Sequence, residues 1–558
     1  MAFQLSPGVN VSEVDLTTVV PSVATTVGGF AGNFAWGPVN EIITISNENQ
    51  LVEIFGKPDA NTFQHFFTAA NFLSYGSNLK VVRSANTNAL NATTSGTGVT
   101  ITNRLDYDSN HLYGTGGSDV FFAKYPGTLG NSITVSLADT SSFDTWTYRT
   151  QFSDTPTTSD WATAKNSLDD ELHIVVLDAT GAITGTANTI LEKFAFVSKA
   201  SDAKNYDGST LYYKDVINKT SKYVWAGVNP SSNATNWGTT SIATSQFTRV
   251  NTSPSFALSG GTSVAPSVGA LQTSYDLFAN PESVDVSLLL AGPTTGSTLP
   301  NYLIGIAESR KDCMVFLSPS FTDVVDNVGS EASDISTTVD SHTPSSFAVM
   351  DSAWKYQYDK YNDVYRWVPL NGDVAGLCVR TDVQRDPWFS PAGFNRGVIK
   401  NVIKLSWNPT KAERDTLYKK GVNPVVTFPG EGTVLYGDKT LLSRPSAFDR
   451  INVRRLFIVL EKAIAKAARS SLFEFNDEFT RSAFVNLVEP YLRDVQGRRG
   501  IYDFRVVCDN TNNTGEVIDR NEFVGDIYIK PARSINYIQL NFVAVRTGVS
   551  FEEVVGQF

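Results

Sequence analysis

The chain has 558 residues, 41% of them hydrophobic and 18% charged, and its 45 basic and 56 acidic side chains leave a net charge of −11. That length spans about three to five folding units, and the composition excludes both a single small module and a disordered polyampholyte. The acidic balance also excludes a general nucleic-acid binder, whose phosphate contacts need clustered Lys and Arg.

The charge is unevenly placed. Residues 444–558 carry 16 basic against 15 acidic side chains, so the acidity lies upstream. The first Lys or Arg is Lys57, so a signal peptide with a positive n-region is not expected. No apolar run approaches the roughly 20 residues of a membrane span, and a soluble chain without membrane insertion is expected. Cys313, Cys378 and Cys508 are far apart and odd in number, which fits neither a disulfide framework nor a metal cluster. Three reduced thiols in or near cores, and folding in a reducing compartment, are the expectation.

In chain order, Leu5 to Leu16 opens with a Pro-Gly turn and then alternates. Val9 and Val11 share one parity, and Val14 and Leu16 continue on the other, as two short strands with a break or bulge would. Such a segment is too short to stand alone and must pair with a sheet, its own or another's. Residues 24–85 read as a Gly-rich apolar segment, a strand at Ile42–Ile45, a helix with Phe63, Phe66, Phe67, Ala70 and Leu73 on one stripe, and a strand at Leu79–Arg83. His65 lies off that stripe and is expected at the surface or its rim. From about Ser84 to Gly261 the chain turns rich in Thr, Ser, Asn and Gly with short apolar runs, and an inserted, solvent-facing β-rich domain is predicted. The Asn-x-Ser/Thr triplets at Asn91, Asn218 and Asn233 are products of that composition.

After Gly261 a strand at Val284–Ala291, a helix at Tyr302–Lys311 and a strand at Met314–Leu317 form a parallel βαβ unit. An aromatic segment, Trp354 to Trp367, precedes a helical stretch around Asp373–Val379. The strongest helix runs from about Asn452 to Arg469, with Val453, Leu456, Phe457, Leu460, Ile464 and Ala467 as its core stripe. Arg455, Lys462, Lys466 and Arg469 follow at spacings of seven, four and three and project together. They form either a solvated face with cations near the helix C-terminus or a docking face for an acidic partner. Near the end Ile538, Leu540 and Phe542 alternate with polar neighbours, predicting a strand at Tyr537–Ala544.

The catalytic inventory is empty. Gly432 to Thr440 approaches a phosphate loop, but Asp438 breaks the register before Lys439 and puts a carboxylate where phosphates would sit. There is no Gly-x-Ser-x-Gly elbow and no His-Glu-x-x-His, and histidine occurs only at 65, 111, 173 and 342. His342 with Ser345 and Ser346 reads as a loop rather than a nucleophile and base, and Asp169-Asp170 identifies no glycosidase. No catalytic residue, cofactor or metal site is expected.

Several ordered motifs resemble contractile-tail sheath proteins, in particular those of contractile-tailed, T-even-like bacteriophages. They are Leu5-Ser-Pro-Gly-Val-Asn-Val-Ser-Glu-Val-Asp15, Val27-Gly-Gly-Phe-Ala-Gly32, Trp36-Gly-Pro-Val39 and Phe55-Gly56 at one end. At the other are Pro387-Trp-Phe-Ser-Pro-Ala-Gly393, Gly421-Val-Asn-Pro424, Asp449-Arg-Ile-Asn-Val-Arg-Arg455 and Phe473-Glu-Phe-Asn-Asp-Glu-Phe479. The likeness covers residues 1–85 and roughly 270–558. It implies a mixed α/β and α+β multidomain fold: an N-terminal linking arm (1–22), a first core segment (23–85), an inserted β-rich outer domain (86–262), a subtilisin-like α/β domain without catalytic residues (263–440), a C-terminal α+β domain facing the tail tube (441–535) and a C-terminal linking strand (536–558).

The resemblance further implies a structural subunit of the virion tail, assembled in the host cytoplasm without a cofactor. Its partners would be its own copies in hexameric rings stacked helically, the inner tail tube protein, and baseplate and tail terminator proteins, with no direct nucleic acid. Val9, Val11, Val14 and Leu16, and Ile538, Leu540 and Phe542, would link subunits by adding strands to neighbouring sheets, and the Arg455 to Arg469 face would meet the tube. A sheath of a related secretion system or bacteriocin particle, a hydrolase on the α/β domain, and an adhesin using the Thr/Ser-rich domain are the competing readings.

Overall fold

The computed structural model describes residues 23–536, 538 and 539, apart from 116, 231–233, 235 and 251. Val9, Val11, Val14 and Leu16 of the predicted N-terminal strands, and Leu540 and Phe542 of the predicted C-terminal strand, lie outside the described residues. The chain divides into two compact units, one ending at Leu472 and one beginning at Phe473.

The first unit is built on a seven-stranded sheet. Its spatial order is Val422–Asn423, Ala348–Asp351, Met314–Leu317, Leu288–Leu290, Gly28–Gly32, Leu79–Arg83 and Ile42–Ile45. All neighbours are parallel except the last pair. The three central runs Leu288–Leu290, Met314–Leu317 and Ala348–Asp351 are wholly buried, as a parallel sheet covered on both faces requires. Gly28 and Gly29, adjacent in one strand, face opposite layers. A Cβ at Gly28 would meet the Phe72 ring at 2.7 Å, from helix Phe63–Leu73, whereas one at Gly29 would approach Leu289, Val286 and Phe278. The sequence reading gave this stretch only as a Gly-rich apolar segment; it anticipated helix Phe63–Leu73 on one face but not helix Val268–Asp276 on the other. The predicted strand Val284–Ala291 narrows to Leu288–Leu290, because residues 284–287 are irregular and only the last three residues before Ala291 join the ladders on both sides.

The aromatic segment is a hairpin, Trp354–Asp359 with Val364–Pro369, and the helix that follows spans Asn371–Gln384 and packs beside Phe63–Leu73. His65 is half-buried, at the rim rather than free at the surface. Its ring lies against Phe30, and burial pushes its pKa down to about 4. Gly432 to Thr440 is not a phosphate loop. Gly432–Leu435 pairs with Val425–Phe428, and the following Asp438 is buried and accepts hydrogen bonds from Tyr418 and Arg450.

The Thr/Ser-rich segment folds within the same compact unit as two antiparallel sheets. One is ordered Thr189–Ser198, Glu171–Asp178, Ile133–Ala138 and Ser255–Ala257, and the other pairs Phe121–Ala123 with Val224–Ala226. Trp36 and Arg83 are among the residues that join it to the α/β sheet. Trp36 packs into its core against Tyr125 and Tyr223. Arg83, buried at the end of its strand, donates to the carbonyls of Phe34, Gly37 and Pro126. Asn91 and Asn218 are buried hydrogen-bonding residues of this segment, so two of the three triplets serve its interior.

The second unit has one long helix, Glu478–Gly497, started by Asp477, whose side chain accepts from the Thr480 amide. The helix packs on an antiparallel ribbon, Ile501–Val507 with Asp526–Pro531. Gly525 lets the ribbon pass the Phe484 ring, which a Cβ there would meet at 2.8 Å.

Candidate assembly surfaces

The predicted basic helix spans Ile451–Ala468, one residue from the expected bounds, with its stripe of Val453, Leu456, Leu460, Ile464 and Ala467 buried. Phe457, expected on that stripe, is only half-buried and packs edge-on against Phe448.

The four cations do not form one surface. Arg455 is a correction: its side chain is 4% exposed, and it donates from both terminal nitrogens to Asp382, at 2.7 and 2.6 Å. Burial lowers the Arg455 pKa, but the Asp382 carboxylate outweighs it and holds the pKa above the ordinary arginine value. Spacing gives the angle at which a residue leaves a helix axis, and the depth of packing varies along that same angle. Helix Asn371–Gln384 covers the first turns of the basic row, as the Asp382 pair requires. Lys462 is half-buried and ion-paired with Asp285, with Asp312 at 4.0 Å. Lys466 and Arg469 are exposed and make no ion pair among the described residues. The free basic surface is therefore the last two turns of the helix.

Sequence reasoning missed Asp382 and Asp285, and no local signal marks either one. It also missed Thr25, whose hydroxyl donates to Asp382 at 2.6 Å and ties the start of the described chain to the Arg455 pair.

In the second unit, the ribbon Ile501–Val507 and Asp526–Pro531 has no third strand among the described residues. Both outer edges present backbone groups without a ladder partner. Two strands with one covered face are marginal in water, so this ribbon is a template for an added strand. Tyr502 and Tyr528 are exposed on it, and Phe473, Phe475 and Phe479 stand exposed before and at the start of the helix, Phe473 completely so.

Ile538 is the described residue of the predicted C-terminal strand. It is 73% exposed and belongs to no strand of this single chain, where an added strand has no neighbouring sheet to pair with. Its alternation supplies a face, but a strand exists only when its backbone groups find a partner.

His342 and Ser345, read from the sequence as a loop rather than a nucleophile and base, make no hydrogen bond to each other. His342 is buried with Nδ1 unbonded, and the Ser345 hydroxyl accepts from the Phe347 amide. Among the described residues no group of three or more His, Cys, Asp or Glu side chains is placed to hold a metal, and no helix is long and apolar enough to cross a membrane. The polar cluster at the carboxyl ends of the parallel strands is closed. Ser318 donates to Asp351 at 2.6 Å and accepts from the Asn371 amide at 2.9 Å, and all three are buried.

These features define a structural protein that exposes surfaces for partners. Residues 25–83 match the family description of the tail sheath protein Gp18 domain III N-terminal region, 269–441 that of the phage tail sheath protein central domain, and 443–544 that of the phage tail sheath C-terminal domain. The tail sheath protein of Enterobacteria phage T4 is 35% identical over 99% of both chains. That of Vibrio phage KVP40 is 34% identical over 99% of this chain and all of the other. The chain belongs to the phage tail sheath protein family. Its fold is shared with the sheath tail protein of Desulfitobacterium hafniense (13% identity, 90% of this chain and 94% of that one, TM-score 0.54) and with the anti-feeding prophage helical sheath in its contracted state (14% identity, 97% and 99%, TM-score 0.51).

Proposed function

We propose that this chain is the polymerising subunit of a contractile phage tail sheath, in which the extended chain ends complete β-structure in neighbouring subunits. The observation that carries the reading is the two-stranded ribbon of residues 501–507 and 526–531, with both edges free among the described residues. Residues 9–16 and 537–544 have the alternation that an added strand needs, and main-chain bonds supply the affinity while alternate side chains set register. At about 1 kcal/mol net per hydrogen bond, one five-residue strand contributes only a few kcal/mol. Because every subunit donates and accepts, the links reinforce one another through high effective concentration.

In this reading the subunits form six-membered rings stacked around an inner tube, between baseplate and terminator. Lys466 and Arg469, with the paired Lys462 beside them, face the tube, and residues 86–262 face outward on a subtilisin-like core that lacks its chemistry. Contraction is the passage of a metastable extended lattice to one that buries more surface or pairs charge better, and it requires no nucleotide. The relatives are virion tail components, and assembly of this chain takes place in the host cytoplasm.

Deleting residues 1–20 tests the linkage. The truncated chain should stay folded and soluble but form no long tubular polymers in electron micrographs or sedimentation. Tubes of normal length from the truncated chain would exclude the arm as a link.

A further inference from the structure

The root of the N-terminal segment is firmly held. Ser287 Oγ donates to the Ala24 carbonyl at 3.0 Å, Thr25 is bonded to Asp382, and the amides of Ser287 and Leu288 donate to the Val27 carbonyl at 2.9 and 3.1 Å. Held this way, Val23 and Ala24 stand in the wall of an open groove of about 600 Å³, whose other wall is the C-terminal half of helix Ile451–Ala468.

The charges of that groove do not balance. Lys462 takes Asp285, and Arg310 takes Asp312 through two hydrogen bonds at 2.8 and 2.9 Å. Lys311, Lys466 and Arg469 remain, with Glu461 as the one acid among the lining residues not held by such a pair. Residues 1–22 have the opposite character: they include Glu13 and Asp15 and no Lys or Arg.

We infer that in the free subunit residues 1–22 of the same chain lie along this groove, with Glu13 and Asp15 against Lys466 and Arg469, so that the arm and the basic face mask each other until a neighbouring subunit takes the arm. The inference rests on the sheath reading, which makes residues 9–16 a donated strand.

Reach permits it. The eight residues from Asp15 to Val23 span up to about 26 Å when extended, and the helix from Ile458 to Arg469 rises about 17 Å. Tethering makes docking intramolecular, at an effective concentration of roughly millimolar, so contacts too weak to hold two molecules together suffice here. A subunit that carries both an unpaired strand and an open ribbon is prone to uncontrolled edge pairing. Storing the strand on its own basic face removes that hazard and couples its release to exposure of Lys466 and Arg469.

The test is hydrogen exchange of the 1–22 peptides in the full-length subunit, kept monomeric by dilution and checked by sedimentation. It compares wild type, K466E/R469E, and the charge swap E13K/D15K/K466E/R469E. Exchange should be several-fold slower in wild type than in K466E/R469E at low salt. The difference should vanish near 1 M salt, where the Debye length falls to about 3 Å, and protection should return in the swap. Equal exchange in wild type and K466E/R469E, or no recovery in the swap, overturns the inference. Protection that grows with protein concentration overturns it too, by assigning the arm to a second copy. Tube formation by the wild type is scored in parallel: no tubes reject the sheath reading itself, whereas tubes with an unprotected monomer arm reject only the groove.

Discussion

Replacing Asp382 by alanine strands the Arg455 guanidinium inside the first unit. The two side chains are 4% and 5% exposed, and after the substitution the remaining acceptor for Arg455 is the Cys378 carbonyl at 3.4 Å. Leaving one partner of a buried pair uncompensated costs about 3–5 kcal/mol, and loss of the Thr25 hydrogen bond adds about 1 kcal/mol. At 1.4 kcal/mol per factor of ten, local opening of helix Ile451–Ala468 should become more frequent by about three to four orders of magnitude. Because the chain has two compact units, no single denaturation midpoint measures this. Hydrogen exchange of peptides covering 451–468 reads it directly. The double change Asp382→Leu with Arg455→Met removes both charges and fills the space, so it should recover most of the loss. Exchange in Asp382→Ala within about threefold of wild type, or a double variant as labile as the single one, would refute the sequestered pair.

Two glycines should respond in opposite directions. Gly28→Ala places a Cβ 2.7 to 2.9 Å from the Phe72 ring and Leu79 and should destabilise the α/β sheet by about 1–3 kcal/mol. Gly305→Ala, on the exposed face of helix Thr298–Arg310 with open space around it, should stabilise by up to about 1 kcal/mol. Hydrogen exchange of peptides covering the 28–32 strand and the 298–310 helix checks the pair. Asp351 supplies a pH test: burial, with the nearby Asp373 adding to it, pushes its pKa up to about 8 from an ordinary 3.8. The folded state thus holds a proton that the unfolded chain has released, so this residue's contribution is complete below about pH 4 and is lost as pH rises to about 8, at up to about 1.4 kcal/mol per unit. Asp351→Asn should flatten the fall in hydrogen-exchange protection of peptides covering 348–351 between pH 5 and 8, once intrinsic exchange rates are divided out, and an unchanged slope would show that Asp351 is ionised in the fold.

Legibility followed the range of the interaction that decides each feature. The wholly apolar runs at 288–290 and 314–317 announce buried parallel strands because both faces of such a sheet are covered, and the period of Val453 to Ala467 announces one helix face. The open ribbon was not legible, because Ile501–Val507 does not alternate between a wet and a dry face, and Asp526–Pro531, which does, is too short to mark a strand by itself. The exposed Phe473, Phe475 and Phe479 were readable only as parts of a motif.

By itself the sequence determined the order of motifs from Leu5 to Phe479, hence the sheath resemblance, and the angular positions of four cations on one helix. These follow from residue identity and local period. Only the tertiary structure decided which of those cations is available: Arg455 is consumed by Asp382, 73 positions away, and Lys462 by Asp285, 177 positions away, while Lys466 and Arg469 stay free of ion pairs among the described residues. The physical reason is that a charge's solvation and pairing depend on which distant segments pack over it, and helical spacing carries no record of them.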